Sequence, residues 1–320
     1  MKVLIADKFD DSGVAALKEA GLEVMVNPEL KDDALTQAIG ETDCDVLVVR
    51  STRVQKPMLE ASSKLALVIR AGSGYDTIDT ATATERNIRV CNCPGMNAVA
   101  VAELTLGLMI ALDRRIVAQA DDLRKGIWNK KEYGKARGLK GRTMGIVGLG
   151  RIGAEVAKRA AAFDMKLIYT DIIARPDLEE QYGMSRVPFE QVLAEADFIS
   201  LHVPGGADTK HLIGAAEMKK MKPTAFLLNC SRGGVIDEKA LADAIKAGEI
   251  GGGGLDVYEI EPAATDKEFA DPVVQVPQVY GTHHVGASTD QAQAAVAEET
   301  VRIIKAFADT GEFINCVNPA

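Results

Sequence analysis

The chain has 320 residues, of which 47% are hydrophobic and 26% are charged, so it is long enough for two domains and has the composition of a globular protein. Its formal net charge of −9 makes nucleic acid and anionic membranes poor partners for the surface as a whole. The five cysteines are odd in number and include no C-x-x-C, which predicts neither a disulfide framework nor a zinc site, and we expect no metal cofactor.

The chain shows no pattern typical of a targeting or membrane-spanning segment. Its first residues, "MKVLIADKFDD", turn acidic at Asp7 and Asp10, unlike a signal peptide. The longest apolar segment covers residues 97–116, but Glu103 interrupts it and it ends in the charged run "DRR", whereas a membrane span needs about 20 apolar residues. We therefore predict a cytoplasmic protein in which this segment is a helix buried on nearly all sides, between domains or between subunits.

Residues 1–95 alternate apolar runs of strand type with short helical runs. The predicted strands are "KVLIAD", "LEVMVN", "CDVLVVRS", "LALVIRAG" and "IRVCNCP". The predicted helices between them are "SGVAALKEAG", "DDALTQAI", "PMLEAS" and "DTATATERN". Apolar strands separated by helices favour a parallel sheet covered on both faces, and five such units predict a flavodoxin-like domain.

A second alternating series begins at "RTMGIVGLG", after a polar stretch that carries the only tryptophan, Trp128, and that we interpret as a crossing segment or an arm. Its predicted strands are "TMGIVG", "KLIYTD", "FISLHVP", "AFLLNCS" and "GGGLDVY". Two complete series in one chain predict an α/β protein with two doubly wound parallel-sheet lobes and a cleft between them.

The tail, "ASTDQAQAAVAEETVRIIKAFADTG", has the pattern of one amphipathic helix, and Ser288 with Gln291 has the spacing of a capping box. This helix is long enough to return to the first lobe. We therefore predict one discontinuous domain made of residues 1–97 and 286–320, and a second domain made of residues 98–285.

The segment after residue 144 carries G-x-G-x-x-G at Gly148, Gly150 and Gly153, between a predicted strand and a predicted helix. Gly148 allows a tight turn, Gly150 leaves room for a pyrophosphate, and Gly153 lets helix and strand pack closely, while the helix N-terminus attracts phosphate. Asp171, 18 residues beyond the last glycine, predicts a hydrogen bond to a ribose 2′-OH and hence NAD rather than NADP, although Arg175 follows closely. The alternative is a plain βα turn without a ligand.

Four further stretches accompany this pattern: "LHVPGGADT" (201–209), "NCSRGGVIDEKAL" (229–241), "GLDVYEIEP" (254–262) and "HHVGAST" (283–289). In this order they resemble the D-isomer-specific 2-hydroxyacid dehydrogenases, over about residues 40–315. The stretches "VVRSTRV", "IRAGSGYDTID" and "CPGMNAVAVAEL" are similar to the D-3-phosphoglycerate dehydrogenase branch of that family. The resemblance implies a Rossmann NAD-binding domain at 98–285 and a substrate-binding domain formed by the remainder.

The resemblance implies a hydride transfer between nicotinamide and the hydroxyl-bearing carbon of a D-2-hydroxy acid. It assigns the accompanying proton transfer to His284, since the family's histidine precedes "x-G-x-S/T", and a supporting hydrogen bond to Glu261, which would raise the histidine's pKa. Arg232 would hold the substrate carboxylate and carbonyl oxygen with its planar guanidinium. His283, where relatives usually carry proline, is expected to have no catalytic role.

The resemblance also implies a set of cofactor contacts along the pyrophosphate, adenosine and nicotinamide. They are Ser73, Gly148, Gly150, Arg151, Ile152, Gly153, Asp171, His202, Val203, Pro204, Thr209, Cys230, Asp256, Gly286 and Ala287. We do not expect Cys230 to be a nucleophile, because this chemistry needs no covalent intermediate, and we interpret His211 as structural.

For the substrate, the resemblance points to Arg50, Ser51, Arg70, Gly72 and Lys130. The turn at Gly72 can present backbone N–H groups to a carboxylate. The two arginines fall where phosphoglycerate-type members hold the phosphate, and Lys130 where such members offer a basic residue from the neighbouring subunit. The alternative is that these are solvated surface charges.

The resemblance therefore implies oxidation of 3-phosphoglycerate to 3-phosphohydroxypyruvate, the first committed step towards serine, by a homodimer or tetramer that binds a small-molecule substrate. Since longer relatives add a C-terminal regulatory domain that binds serine, we expect no feedback inhibition by serine. A glyoxylate or hydroxypyruvate reductase, or an enzyme for a sulfonated acid, would share the catalytic residues. An NAD-sensing binding protein of the corepressor type would keep the same three residues without turnover.

Overall fold

The computed structural model describes residues 1–262 and 268–319, and the chain divides into two compact units. One unit is Met1–Asn97 with Ala287–Ala320, and the other is Ala98–Gly286. The predicted boundary at which the chain returns from the second unit to the first, between residues 285 and 286, lies one residue before the observed boundary. Each unit is built on its own parallel sheet with helices, so the predicted fold class is confirmed.

The first unit has five parallel strands in the order β2-β1-β3-β4-β5. The strands are β1 Lys2–Ile5, β2 Glu23–Val26, β3 Val46–Val49, β4 Leu67–Arg70 and β5 Arg89–Asn92. The helices between them are α1 Asp11–Glu19, α2 Asp32–Thr42, α3 Lys56–Glu60 and α4 Thr80–Glu85. The strand order reverses between β1 and β3, and such a reversal opens a crevice at the carboxyl ends of the strands.

The apolar segment that opens the second unit forms two helices instead of one. Helix α5 covers Ala98–Arg114, and α6 covers Ile116–Arg124. Between them Arg115 has a left-handed φ of 49°, which a helix interior does not tolerate. The prediction of a single helix over 97–116 was therefore wrong at its C-terminal end. The arm that follows contains one short helix, α7 Lys130–Tyr133.

The second unit has seven parallel strands in the order β12-β11-β10-β9-β6-β7-β8. The strands are β6 Thr143–Val147, β7 Lys166–Thr170, β8 Ser185–Arg186, β9 Phe198–Leu201, β10 Phe226–Asn229, β11 Gly252–Leu255 and β12 Val279–Gly281. The intervening helices are α8 Arg151–Ala162, α9 Pro176–Tyr182, α10 Phe189–Glu195, α11 Ala215–Met218 and α12 Glu238–Lys246. The order reverses between β6 and β9, as in the Rossmann fold.

The two edge strands, β8 and β12, were not predicted. They contain two and three residues, too few for an alternating pattern to stand out. The buried face of α5 packs against α8 and the strands β10, β11 and β12.

The last helix, α13 Asp290–Thr310, packs against α1 and so belongs to the first unit. Its N-cap is Thr289, whose side chain accepts a hydrogen bond from the backbone N–H of Ala292. The predicted capping box at Ser288 was therefore wrong by one residue. The extended backbone required at an N-cap occurs at Thr289, and the Ser288 hydroxyl instead accepts a hydrogen bond from Arg50.

Across residues 1–262 and 268–319, no helix combines the length and the apolar character needed to cross a lipid bilayer. The same residues contain no cluster of three or more histidine, cysteine, aspartate or glutamate side chains arranged to hold a metal ion.

Candidate active site

Three polar side chains of the second unit follow three neighbouring strands at the same edge of its sheet. Arg232 follows β10, Glu261 follows β11, and His284 follows β12. Because β10, β11 and β12 are parallel and adjacent, their carboxyl ends meet at one edge, where ligands bind in open α/β sheets. The topology therefore explains how residues 52 positions apart in sequence come to share one site.

His284 and Glu261 form a direct pair, with 2.8 Å between His284 Nδ1 and Glu261 Oε2. The other carboxylate oxygen, Glu261 Oε1, accepts a hydrogen bond from the backbone N–H of Tyr258 at 3.2 Å. The hydrogen bond to Glu261 raises the pKa of His284 against the opposing effect of burial. Burial by itself would raise the pKa of Glu261, but its hydrogen bond and charge interaction with His284 outweigh that effect and lower it.

The backbone holds His284 in an uncommon conformation. Its φ is 51°, a left-handed value that non-glycine residues rarely adopt and that is often found at functional sites. Its backbone N–H donates to the carbonyl of Asp256 at 2.8 Å. The buried Asp256 carboxylate accepts hydrogen bonds from the Thr282 hydroxyl and from the N–H groups of Val285 and Gly286. These bonds fix the loop that presents the imidazole.

Asp256 and Gly286 are both predicted cofactor contacts, and the structure shows their polar groups bonded to each other. A Cβ added to Gly286 would lie 2.9 Å from Asp256 Oδ2, so only glycine fits here without displacing the carboxylate. Sequence reasoning missed the bracing role of Asp256. Its position directly after a strand was the available signal.

Arg232 lies in a turn that is braced on both sides. The Asn229 side chain donates to the Arg232 carbonyl at 2.9 Å and accepts from the N–H of Ser231. A Cβ added to Gly233 would lie 1.8 Å from the carbonyl oxygen of Tyr258, so this turn packs directly on the loop that carries Glu261. The charge of Arg232 lowers the pKa of both Glu261 and His284. The three charged groups therefore interact electrostatically with one another.

A further acidic residue, Glu238, supports the same loop and was not predicted. It opens α12, and its carboxylate accepts a hydrogen bond from the backbone N–H of Glu259 at 2.7 Å. Burial, with the charge and hydrogen bond of Asp271, raises the pKa of Glu238 to about 7. The only signal in the sequence was an acidic residue in the first turn of a predicted helix, which is common in any helix. His211, interpreted as structural, pairs with Glu259 at 2.9 Å.

The glycine-rich turn after β6 has the shape that a dinucleotide requires. Gly148 has a φ of 91°, and a Cβ added there would lie 2.6 Å from the His202 carbonyl oxygen. A Cβ on Gly153 would lie 2.3 Å from the Gly148 carbonyl oxygen. A Cβ on Gly150 would meet no atom of the described residues within 4 Å, so this position faces open space. Gly150 is also the N-cap of α8 and has no side chain with which to cap the helix. The backbone N–H groups at the start of a helix can then bind phosphate.

Asp171, directly after β7, lies against this turn. Its Oδ2 accepts a hydrogen bond from the N–H of Leu149 at 2.5 Å, and its Oδ1 accepts one from Ile173. Arg175 pairs with Asp177 and donates to the Leu149 carbonyl. Arg175, the basic residue close to Asp171 in sequence, is thus held next to the turn by its ion pair with Asp177.

The remaining predicted cofactor residues of this unit lie after β9 and β10 or open α8. Thr209 donates to the carbonyl of Pro204 at 2.7 Å and so closes that loop, and Val203 lies close to Gly148. Arg151 and Ile152 form the first turn of α8.

His202 and Cys230 are buried groups with strongly shifted pKa values. Burial lowers the pKa of His202 to about 3, so the ring is neutral. Its Nε2 bonds Ser200 at 2.8 Å, while its buried Nδ1 has no partner among the residues that the structure describes. Burial raises the pKa of Cys230 to about 12, so its thiol is protonated at neutral pH.

In the first unit, Arg50 and Ser51 follow β3. The carboxylate of Asp7, which follows β1, accepts hydrogen bonds from the N–H groups of Arg50, Ser51 and Thr52. The Arg50 guanidinium donates to Gln293 and to Ser288, both at 3.2 Å. Sequence reasoning noted Asp7 only as an acidic residue near the N-terminus and missed that it forms the loop presenting Arg50.

Arg70, Gly72 and Ser73 form the end of β4 and the turn after it. The Arg70 guanidinium covers Gly72 so closely that a Cβ there would lie 1.7 Å from Arg70 Nη1, and Gly72 has a φ of 152°. The Ser73 hydroxyl donates to Asn97 at 2.7 Å and accepts from the N–H of Gly95. The turn is therefore held in place by residues that were not among the predicted site residues.

Three further predicted residues are placed by their position in the fold. Lys130 is the exposed first residue of α7, in the second unit. Ala287 is the residue at which the chain returns to the first unit. His283 is exposed next to His284.

Comparison with known proteins identifies the family of the chain. Residues 106–286 match the family model described as D-isomer specific 2-hydroxyacid dehydrogenase, NAD binding domain. The chain is 41% identical over 311 residues to a D-3-phosphoglycerate dehydrogenase of Methanocaldococcus jannaschii, a match that covers 95% of this chain and 58% of that protein. It is 40% identical over 315 residues to a glyoxylate reductase of Thermococcus litoralis, a match that covers 96% of this chain and 93% of that protein.

Among solved structures, the TT0316 protein of Thermus thermophilus superposes with a TM-score of 0.88 at 32% identity, covering 99% of this chain and 100% of that one. The chain thus spans little more than half of the phosphoglycerate dehydrogenase that it resembles and nearly all of the glyoxylate reductase.

Proposed function

Since this chain belongs to the D-isomer-specific 2-hydroxyacid dehydrogenase family, we propose that it is an NAD-dependent dehydrogenase that oxidises D-3-phosphoglycerate to 3-phosphohydroxypyruvate. The observation that carries the proposed chemistry is the 2.8 Å pair of His284 and Glu261 within the electrostatic reach of Arg232. A proton carrier, a group that tunes it and a fixed cation are what the oxidation of a hydroxyl beside a carboxylate requires.

His284 moves the proton in this proposal. Its Nδ1 is bonded to Glu261, so Nε2 is the nitrogen directed to the substrate oxygen. In the oxidative direction the neutral ring accepts the hydroxyl proton, and in the reductive direction the protonated ring donates it. The carboxylate of Glu261 fixes the tautomer and stabilises the protonated ring, which raises the pKa of His284.

Arg232 orients the substrate. Its guanidinium can pair with the carboxylate and polarise the oxygen that becomes the carbonyl, since it is always charged and planar. The braces at Asn229 and Gly233 hold its backbone, and the guanidinium donates to the Ser231 carbonyl at 2.8 Å. Preorganised charge of this kind needs no rearrangement during the reaction.

NAD, when bound, accepts or donates the hydride. We assign its pyrophosphate to the turn at Gly148–Gly153 and to the N-terminus of α8, and its adenosine ribose to Asp171. The open space at Gly150 and the orphaned Nδ1 of the buried His202 support a ligand along this edge. The negative charge of Asp171 disfavours a 2′-phosphate, so NAD is preferred over NADP.

We assign the substrate phosphate to the cationic residues of the first unit. Arg50 follows β3 and Arg70 is the last residue of the neighbouring parallel strand β4, so both lie at the carboxyl edge of that sheet. In a chain of net charge −9 such a cluster attracts a small dianion. Ser51 and the turn at Gly72 would add hydroxyl and backbone donors, and Lys130 would serve the site of a neighbouring subunit.

A second candidate substrate class is the unphosphorylated 2-oxo acids glyoxylate and hydroxypyruvate. The 40% identity to a glyoxylate reductase of nearly the same length favours it. The proposed catalytic residues would be the same, and only the use of Arg50 and Arg70 would differ.

A substrate panel separates these candidates. We expect kcat/KM for D-3-phosphoglycerate with NAD, and for 3-phosphohydroxypyruvate with NADH, to exceed the values for D-glycerate, glyoxylate and hydroxypyruvate. Arg50→Ala should raise KM for the phosphorylated substrates by about tenfold, the loss of one charge-assisted hydrogen bond, with little effect on the others. Arg53→Ala, an exposed arginine of the same loop, is the matched control. Equal losses on phosphorylated and unphosphorylated substrates would remove Arg50 from the phosphate site.

We also infer that the chain forms a two-fold dimer through α6 and the arm after it. Apolar side chains are exposed there: Ile116, Val117, Leu123, Ile127 and Trp128. Exposed apolar side chains grouped along one segment of the chain favour an interaction surface, and a two-fold interface is the commonest way to cover one.

A further inference from the structure

Two of the five free cysteines, Cys91 and Cys316, are cross-strand neighbours in the first unit. Cys91 is in β5, and Cys316 is in the segment after α13, which runs antiparallel to β5. The backbone N–H of Val317 donates to the Val90 carbonyl at 2.8 Å, and that of Asn92 donates to the Asn315 carbonyl at 3.3 Å. These bonds flank the two cysteines on both sides, so the pair is of the non-hydrogen-bonded kind.

This pairing brings two thiols within bonding range. In a non-hydrogen-bonded antiparallel pair the Cα atoms are about 4.5 Å apart and the side chains project to the same face. Disulfides join Cα atoms about 4.4–6.8 Å apart. The cross-strand bridge between Cys91 and Cys316 therefore places the two thiols side by side, although the Cys316 thiol at present donates to Asn318 Oδ1 at 3.5 Å.

The two thiols differ in access. Cys91 is fully buried, whereas Cys316 is only half-buried. Burial and the neighbouring Cys316 raise the pKa of Cys91 to about 12. Cys316 is therefore the thiol that a small molecule in solution can reach first.

We propose that Cys91 and Cys316 are a modification site, at which a low-molecular-weight disulfide such as oxidised glutathione converts the pair reversibly to an intramolecular disulfide. The Cys316 thiolate attacks one sulfur of the reagent, forming a mixed disulfide and releasing one reduced thiol. The Cys91 thiolate then attacks Cys316 Sγ, forming the new S–S bond and releasing the second reduced thiol. Two protein thiols lose one electron each, and the reagent gains both.

The new bond would close a covalent loop across most of the chain. It would join β5 to the segment after α13. That segment belongs to the C-terminal part of the first unit, Ala287–Ala320. A cross-link of this kind stabilises a fold mainly by restricting the unfolded chain, and the effect grows with loop length. Oxidation should therefore make the first unit harder to unfold.

Thiol counting with peptide mapping tests the proposal on the whole chain. After incubation with oxidised glutathione, alkylation under denaturing conditions should find three free thiols instead of the five present at the start, and mass spectrometry should find the peptide of Cys91 joined to that of Cys316. Cys316→Ser should begin with four free thiols and keep four. Cys44→Ser, which removes a buried cysteine outside the pair, should go from four to two.

A thermal melt supplies an independent measurement. The oxidised wild-type chain should have a Tm higher by about 5 °C or more, a rise that dithiothreitol reverses and that is absent in Cys316→Ser. Glutathione that remains attached to Cys316, a disulfide that joins Cys316 to Cys93, or an equal loss of thiols in Cys316→Ser would each overturn the proposal.

Discussion

His283 and His284 are adjacent in the sequence, but their surroundings differ. Both residues are exposed, but His284 bonds Glu261 and is held at a φ of 51° by Asp256, whereas His283 forms no hydrogen bond with the residues that the structure describes. The two neighbouring residues of the same type therefore differ in their partners, because Glu261 raises the pKa of His284. The sequence could assign this difference only through a motif position, and the carboxylate partner supplies its physical cause.

Replacing each histidine in turn tests this difference. His284→Asn removes the proton carrier and should lower kcat by about 10²–10⁴, the usual contribution of general acid–base catalysis. His283→Asn is the matched control, and its kcat should stay within about twofold of wild type. Steady-state kinetics with NADH and the best substrate of the panel make the comparison. Similar losses in the two variants would contradict the assignment of the proton to His284.

The pH profile tests the Glu261 contact. Because the hydrogen bond to Glu261 raises the pKa of His284, Glu261→Gln should lower that pKa. Reduction needs the protonated ring, so in the variant kcat/KM for reduction should fall off at a lower pH than in wild type. Oxidation needs the neutral ring and should persist to a lower pH. The measurement is kcat/KM against pH in both directions, and a profile that does not move would mean that the carboxylate does not tune His284.

At the scale of elements, the candidate site is a consequence of strand order. The carboxyl ends of β10, β11 and β12 carry Arg232, Glu261 and His284, and those of β6, β7 and β9 carry the glycine-rich turn, Asp171 and His202. The prediction of strands at β6, β7, β9, β10 and β11 located most of this edge. The strand that presents His284, β12, was missed because it has only three residues.

Gly150, at the turn after β6, and Gly153, in the first turn of α8, should respond differently to alanine. A Cβ at Gly150 faces open space, so Gly150→Ala should leave Tm nearly unchanged and weaken NAD binding by crowding the pyrophosphate. A Cβ at Gly153 would collide with the Gly148 carbonyl, so Gly153→Ala should lower Tm by several degrees. Thermal melts and NAD titrations by calorimetry measure the two effects. Equal loss of stability in both variants would show that Gly150 is not reserved for a ligand.

At the scale of the whole molecule, a single chain leaves several apolar residues around α6 exposed. The Trp128 side chain is 80% exposed, unusual for the largest apolar side chain in a protein. The proposed dimer would cover this patch and give the arm a partner to pack against.

Light scattering coupled to size exclusion tests the dimer. We expect a mass of twice the 34.1 kDa chain. The double variant Val117→Glu with Leu123→Glu should shift the mass towards that of a single chain, because charges in an apolar interface are costly. Val26→Glu, at an exposed apolar position of the first unit, should leave the mass unchanged. A wild-type chain that elutes as a monomer would remove the dimer from the proposal.

The amino-acid sequence by itself determined the two βα series and the glycine pattern, and it supplied the candidate site residues. These depend on local properties: hydrophobic runs of strand length, residues without side chains at a tight turn, and motif positions along the chain. Tertiary structure alone decided what those residues contact. Asp256, Glu238 and Asp7 brace loops far from them in sequence, and no local pattern distinguishes such a carboxylate from a solvated one.

The helix boundaries follow the same division. The break at Arg115 and the cap at Thr289 arise because the chain must turn where packing requires it, while Ser288 is engaged by Arg50. Neighbouring residues have similar local propensities to end or cap a helix, so long-range packing decided which residue does so.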